Sequence, residues 1–466
     1  MARTAIVLAA GRGTRMKSTL SKVLHPLCGR PMVQWAIEAA QTAGCEVCVV
    51  IGHQADSVRE ALADNNIQHA LQDPPRGTGD AVRCASGSVA HEGTVLVLSG
   101  DTPRVRPETL QQLLEQHGNA LCSVLTMSID PQTAAQSAYG RIVRDNQGQV
   151  SGIVEAANAS KSELKISEVN SGIYAFNARW LFEDVLPQLQ PHPPKDEYYL
   201  TDAVAAAALA GSLQAILHDN ADELEGINDR VQLSQAEAAL RQHILEKWML
   251  EGVTIRDPSS TYVDATVKLS MDVILEPGVV LKGNTEISEK VRVGPHCVLE
   301  NTRVGPQSEI KAGSVCLNAS VGAQCTVGPM ARLREGTVLE TGSKVGNFVE
   351  IKKTTLGAQA KASHLSYLGD SIVGPGANIG AGTITCNYDG HTKSKTHIGE
   401  RSFIGSNTAL VAPVSIGKDT IVGAGSVVTQ DVPDGALAVS RAPQKTLKEK
   451  AKTIHDRNAR KAVKKS

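Results

Sequence analysis

The chain has 466 residues, 47 basic against 48 acidic, for a formal net charge of −1. That length exceeds what one hydrophobic core organises, so two or three domains are expected. The balanced charge argues against a nucleic-acid or other polyanionic partner held by bulk electrostatics, so any anionic ligand must be gripped locally.

The first expected element is a strand, TAIVLAAG. Its apolar run, Ile6 to Ala10, is too short for a signal-peptide core, which points to a protein without a cleaved leader. It leads into LAAGRGTRM, where Gly11 and Gly13 let the backbone approach a triphosphate and Arg15 adds charge. The loop has neither Walker nor dinucleotide spacing. MVQWAIEAAQTAG carries the helical period, and GCEVCVVIG reads as a buried strand. There Cys45 and Cys48 serve as small apolar residues, since no second ligand pair of zinc-site spacing lies nearby. The nine cysteines are too irregularly spaced for a disulfide framework. TVLVLSGD and PETLQQLLEQHG continue the alternation, and AVAAAALAG after Asp202 reads as a buried helix rather than a membrane span. Strands alternating with helices predict an open, mostly parallel sheet. In such a sheet ligands bind beyond the carboxyl ends of the strands, where TAIVLAAG and VLVLSGD both end in glycine-containing polar segments.

A connecting helix is expected over 229–250, with Leu233, Leu240, Ile244 and Trp248 at helical spacing and no glycine or proline. From about Thr254 the pattern becomes an aliphatic residue at every sixth position, clearest at Ile398, Ile404, Leu410, Ile416, Val422 and Val428, often followed by glycine. That period predicts a parallel β-helix with the sixth residues stacked inward. The period breaks at VEIKKTTLGAQAKASHLSYLGD and at TITCNYDGHTKSKTHIG, where loops or irregular coils are expected to carry function. The tail 442–466 is rich in lysine and arginine and reads as solvated and partly disordered.

LAAGRGTRM followed by SKVLHPLCGRPM resembles the signature of sugar-phosphate nucleotidyltransferases, with Lys22 as the second phosphate-binding cation. The resemblance implies that Leu8, Ala9, Ala10, Gly11, Arg15 and Lys22 line the UTP site with Ser99, Gly100 and Asp101. It further implies that Gln72, Gly77 and Thr78 recognise uracil, that Gly140, Glu155 and Asn170 grip an N-acetylated sugar phosphate, and that Asp101 and Asn228 hold Mg2+. Two positions depart from the pattern: Ser99 stands where relatives often have tyrosine, and Asp80 where histidine is common.

The unusual residues of the repeat region occur in the order of the bifunctional enzymes that acetylate glucosamine-1-phosphate and then uridylate N-acetylglucosamine-1-phosphate. The resemblance covers nearly the whole chain. It implies an α/β Rossmann-like nucleotidyltransferase domain over 1–228, a linker helix over 229–250, a left-handed parallel β-helix acetyltransferase over 251–441 and a basic tail over 442–466. His364 becomes the general base, a task suited to imidazole near neutral pH. Arg334 and Lys352 become anchors for the sugar phosphate. Tyr367, Asn378, Asn387 and Tyr388 shape the amino-sugar pocket, and Asn387 and Tyr388 also bind acetyl-CoA with Ala381, Ser406, Ala424 and Arg441. Further expectations are a cytoplasmic homotrimer with small-molecule substrates, no nucleic-acid or membrane partner, and a product used in bacterial envelope polysaccharide synthesis. Three rivals are weaker: a nucleotidyltransferase whose β-helix only assembles or regulates it, a non-catalytic scaffold, and a zinc enzyme resembling γ-type carbonic anhydrases that uses His364, His391 and His397.

Overall fold

The computed structural model describes residues 2–63 and 67–463. The chain divides into two compact units, Met1–Glu246 with Val263–Thr266, and Lys247–Tyr262 with Val267–Ser466.

In the first unit, strands β1 (Arg3–Ala9), β2 (Glu46–Ile51), β3 (Gln68–Leu71), β4 (Thr94–Ser99), β5 (Cys122–Ser128), β6 (Arg141–Arg144), β7 (Val150–Val154), β8 (Glu168–Asn177) and β9 (Leu213–His218) share one sheet. Its order is β9-β5-β8-β4-β1-β2-β3, with β6 paired to β8 and β7. β1 runs parallel to β2 and β4, while β8 is antiparallel to β4 and β5, so the sheet is mixed but mostly parallel.

The central strands are continuous apolar runs because helices cover both faces. Helices α1 (Met32–Thr42), α2 (Thr78–Cys84), α3 (Pro107–His117) and α4 (Thr201–Leu209) supply that cover. Val7, Leu96 and Leu98 pack with Val33 and Ile37 of α1 and Leu110 of α3. Ile6, Val95 and Val97 pack on the other face with Val82 of α2 and Val204 of α4. Cys45 and Cys48 are buried, and burial pushes both thiols up to about 11, which suits packing and not metal or redox chemistry. The alanine-rich α4 departs from expectation, because only one face is buried: Ala203, Val204 and Ala207 are enclosed, whereas Leu209 is 91% exposed. Helix α5 (Arg230–Leu250) packs Leu233, Ala236 and Leu240 near Leu27 and Met32. Among the described residues no helix is long and apolar enough to cross a membrane.

The strand order reverses at β1, between β2 and β4, which opens a crevice beyond the carboxyl ends of β1 and β4.

In the second unit, successive sixth residues fall on three parallel sheets of 11, 10 and 9 short strands among the described residues. Ile398 stacks on Ile416, Ile404 on Val422 and Leu410 on Val428, all buried. The glycine after an inward aliphatic has a steric cause: a Cβ on Gly380 would come within 2.6 Å of the Ile404 carbonyl and the Ser406 amide on the next coil.

Coil length separates the two breaks into an irregular coil and a loop. Val345 stacks on Ala362, Ala362 on Ile379 and Ile379 on Ile404, steps of 17, 17 and 25 residues. The segment holding His364 is therefore a coil one residue shorter than the 18-residue step from Ile404 to Val422. It is not a loop, and Val293 to Ile310 shows the same 17-residue step. The NYDG segment is a true insertion of seven residues. The tail also differs from expectation: Lys450–Val463 forms helix α6, whose side chains are exposed over 450–462. Glycine and proline are absent from it and alanine, lysine and arginine dominate, which favours a helix without tertiary support.

Candidate active sites

The crevice of the first unit holds a cavity of 270 Å3 built from separate segments. The turn after β1 contributes Leu8, Ala9, Ala10, Gly11 and Gly13. Lys22 and Gln72 enter from the sides, Gly77 and Thr78 from the start of α2, and Ser99 and Asp101 from the end of β4. Gly13 has φ 58 and its missing Cβ leaves room for the Lys22 stem, so glycine is required there on two counts. Gly100 closes the strand end by donating its amide to the Leu8 carbonyl at 2.9 Å.

At this cavity Lys22 Nζ donates to the Asp101 carboxylate and, at 2.9 Å, to Asn228 Oδ1. Arg15 Nη2 donates to the same amide oxygen at 2.8 Å. Two cations and two oxygen acceptors, far apart in sequence, are thus gathered at one point. The segments carrying Asp101 and Asn228 are also tied together, since the Ile227 amide donates to the Asp101 carbonyl at 2.9 Å. Buried Glu223 accepts from the Arg106 amide at 2.9 Å, Arg106 Nε at 2.8 Å and Thr109 Oγ1 at 2.5 Å. Arg104 pairs with Glu225 at 2.7 Å. A larger cavity of 510 Å3, lined by Trp35, Arg104, Glu223 and His243 among others, holds none of the candidate site residues.

Gly140, Glu155 and Asn170 form a second group. The Asn170 amide donates to the Gly140 carbonyl at 2.9 Å, and Asn170 Nδ2 donates to Tyr174 Oη at 2.6 Å. Burial pushes the Tyr174 phenol well above its ordinary range, and the nearby Glu155 charge acts in the same direction. Glu155 accepts from Thr201 Oγ1 at 2.9 Å, while the neighbouring Leu200 amide donates to Thr78 Oγ1 at 3.1 Å. The start of α4 therefore connects this group to Thr78 of the cavity.

In the second unit, Arg334, Lys352, Tyr367 and Asn387 come together on successive coils. Arg334 Nη1 donates to Glu350 Oε1 at 2.9 Å, and Lys352 Nζ pairs with Glu335 Oε1 at 2.8 Å. Tyr367 Oη and Asn387 Nδ2 both lie where a Cβ on Gly369 would be, and Asn387 Nδ2 donates to Asp370 Oδ2 at 2.5 Å. His364 ends the strand Lys361–His364, in register with Asn347 on the preceding coil, and its Nδ1 lies 2.7 Å from Asn347 Oδ1. An amide oxygen only accepts, so Nδ1 is the donor in this contact, and in the neutral ring Nε2 is then the acceptor nitrogen. Leu365 follows at φ 52, an uncommon conformation for a bulky residue.

Asn378, Ala381, Ser406 and Ala424 follow the sheet that carries His364 and its corners. Asn378 pairs in register with Lys361 and Phe403, and the carbonyls of Ala381 and Ser406 accept from Asn407 and Gly425 on later coils. Arg441 Nη1 donates to the Ala424 carbonyl at 2.6 Å. Tyr388 is exposed and donates to the Gly390 carbonyl at 2.6 Å. His391 lies in the inserted segment and His397 in the strand Thr396–Ile398, and no group of three or more His, Cys, Asp or Glu side chains suited to a metal occurs among the described residues.

Sequence reasoning missed the partners: Asn347 beside His364, Glu335 and Glu350 beside the two cations, and Asp370 beside Asn387. A signal for Asn347 did exist, since it precedes His364 by 17 residues in a repeat whose coils are that long.

Comparison with known proteins adds the family. Residues 5–222 match the MobA-like NTP transferase domain, and residues 395–430 the six-repeat bacterial transferase hexapeptide. The bifunctional protein GlmU of Pelobacter propionicus is 47% identical over 446 residues, covering 94% of this chain and 96% of its own. The chain belongs to the bifunctional GlmU family. The GlmU of Trichlorobacter lovleyi is likewise 47% identical, over 94% of this chain and 96% of its own, and that of Syntrophomonas wolfei 44% identical over 97% and 100%. As a GlmU-family protein the chain is a two-domain transferase: a Rossmann-like nucleotidyltransferase followed by a left-handed parallel β-helix of hexapeptide repeats.

Proposed function

We propose that the cavity beyond β1 and β4 is the uridylation site and that the surface around His364 is the acetylation site of one bifunctional enzyme. The enzyme makes UDP-N-acetylglucosamine by acetyl-CoA-dependent N-acetylation of glucosamine-1-phosphate, then UTP-dependent uridylation of N-acetylglucosamine-1-phosphate with release of pyrophosphate. The uridylation site rests on one observation above the others: Lys22, Asp101 and Asn228 meet at the glycine-rich turn from three distant segments.

In uridylation a sugar-phosphate oxygen attacks the α-phosphorus of UTP and pyrophosphate leaves, so negative charge gathers on the phosphates. Lys22, Arg15 and the backbone amides of the turn at Gly11–Gly13 would neutralise it and hold the attacking and leaving groups in line. Gln72, Gly77 and Thr78 would receive the uracil, and Gly140, Glu155 and Asn170 the N-acetylated sugar. We assign Mg2+ to Asp101 and Asn228. Their two oxygens already share one cation, the Lys22 ammonium, and an oxygen-only set that leaves room for water suits this ion. Bound there, it would supply further charge neutralisation at the phosphates.

In acetylation the amine must attack in its neutral form and shed a proton as its bond to the acetyl carbon forms and the thioester C–S bond breaks. His364 Nε2, with its lone pair kept free by the Asn347 contact, would take that proton. Arg334 and Lys352 would exchange their glutamate partners for the sugar phosphate. Tyr367 and Asn378 would shape the pocket, Asn387 and Tyr388 would border the thioester, and Ala381, Ser406, Ala424 and Arg441 would run along acetyl-CoA. The same reading makes the protein a cytoplasmic homotrimer, with uridyltransferase over 1–228, the linker helix over 229–250, acetyltransferase over 251–441 and a basic tail over 442–466.

Replacing Asp101 by alanine tests the separation of the sites. UDP-N-acetylglucosamine formation should fall to background while acetyl transfer to glucosamine-1-phosphate continues at the unsubstituted rate. Equal loss of both activities in a folded variant would refute it.

A further inference from the structure

Gln72 is 3% exposed and follows β3, its backbone amide donating to the Ile51 carbonyl at 2.8 Å. A primary amide has a donor end and an acceptor end, and here both donor protons are used. Nε2 donates to the Gly77 carbonyl at 2.9 Å and to Asp80 Oδ2 at 2.9 Å. Turning the amide over would set Oε1 against a carbonyl and a carboxylate, two groups with nothing to donate. The neighbours therefore dictate its sense, and Oε1 is the polar end left for the cavity that Gln72 lines. Asp80 lies in the first turn of α2, three residues beyond Gly77. A histidine at this position could present either a donor or an acceptor nitrogen, whereas an ionised aspartate can only accept.

We propose that Asp80 is a specificity-determining positioning residue: by holding Nε2 of Gln72 it turns the amide oxygen toward the base, so that the cavity selects a pyrimidine carrying a proton on N3. This rests on reading the cavity beside Gln72 as the base site. Uracil and thymine offer an N3–H donor. Cytosine offers a lone pair at N3, which the Gln72 oxygen repels. Gly77 alone holds the amide less firmly, because its neutral carbonyl is a weaker acceptor than a carboxylate.

The test uses the full-length enzyme with N-acetylglucosamine-1-phosphate and measures kcat/KM for UTP, TTP and CTP. In Asp80→Ala the preference for UTP over CTP should fall about tenfold to a hundredfold, the scale of one hydrogen bond to a charged group. The preference for UTP over TTP should hold within about twofold, because both bases carry the N3 proton. Asp80→Asn keeps the size but can also donate, so it should move the ratio in the same direction by less. Gln72→Ala should lower the UTP:CTP ratio, and adding Asp80→Ala to it should lower the ratio no further. If UTP and CTP fall in parallel in both Asp80 variants, or the ratio is unmoved in them while Gln72→Ala lowers it, Asp80 does not set specificity. If Gln72→Ala itself leaves the ratio intact, the reading of Gln72 as the base contact is what fails. Thermal melting of each variant separates these outcomes from misfolding.

Discussion

The role proposed for His364 depends on one neighbour that stands a coil away. With Nδ1 donating to Asn347, the neutral ring presents Nε2 as an acceptor, which is the form a general base needs. His364→Ala should lower acetyl turnover by about a hundredfold to ten-thousandfold, the usual range for losing a general base. Uridylation of supplied N-acetylglucosamine-1-phosphate should be unchanged, and near-normal acetyl turnover in the folded variant would remove His364 from the mechanism. Glu223 is the other residue whose surroundings define it. Burial pushes its carboxyl up, but hydrogen bonds from Thr109, Arg106 and His218 outweigh burial and hold it below the ordinary 4.5. A depressed folded value means that this stabilisation is complete above the ordinary glutamate range and is lost as pH falls through the folded value. Glu223→Gln should therefore cost about 1–3 kcal/mol at neutral pH. Its urea midpoint should also fall less steeply than that of the unsubstituted protein as pH drops below about 4.5. Parallel acid profiles for the two would show that the carboxylate carries no such linkage.

The β-helix places site residues by stacking, so a small change in one coil reaches the next. Gly346 precedes Asn347, and a Cβ there would run into the Ser363 carbonyl, immediately before His364. Gly346→Ala should force the two coils apart at the His364–Asn347 contact, at about 1–3 kcal/mol, the range for overpacking. The expected signature is a lower melting temperature of the second unit and reduced acetyl turnover, with uridylation intact. Normal acetyl turnover in this variant would show that the coil absorbs the methyl group without moving His364. In the first unit the corresponding element is the strand-to-turn transition after β1, where Gly13 admits Lys22 to the glycine-rich turn. Both devices use glycine for close approach, and at Gly13 for its positive φ as well.

The second unit carries exposed large apolar residues along its coils: Phe348, Leu365, Ile384, Phe403, Ile421 and Val427 are each 48% exposed or more. A monomer would leave these in water, and a proposed trimer would cover part of them, at about 25 cal/mol for each Å2 of apolar surface removed. Light scattering should return three times the 49.2 kDa chain mass. A monomeric mass with acetyl transfer retained would dispose of the trimer and of any acetyl site shared between subunits. The helical tail, exposed throughout its described side chains, lies outside any core and should tolerate charge substitution without loss of melting temperature.

What the sequence determined by itself was the division of labour along the chain. The strand and helix alternation, the glycine-rich turn at a strand end and the sixfold aliphatic period are all local patterns, and backbone geometry converts each into one kind of structure. The candidate site residues were legible through the family resemblance of the motifs that hold them, Leu8 to Gly11 at a strand end and Arg334 and Lys352 one coil apart among them. Their partners were decided only in three dimensions. Lys22 meets Asp101 across 79 residues and Asn228 across 206, distances that the sheet order closes and no local period encodes. The one-sided burial of α4 and the orientation that Asp80 imposes on Gln72 have the same origin. Each depends on which backbone lies beside which, and that is a property of the packed molecule, not of any window of its sequence.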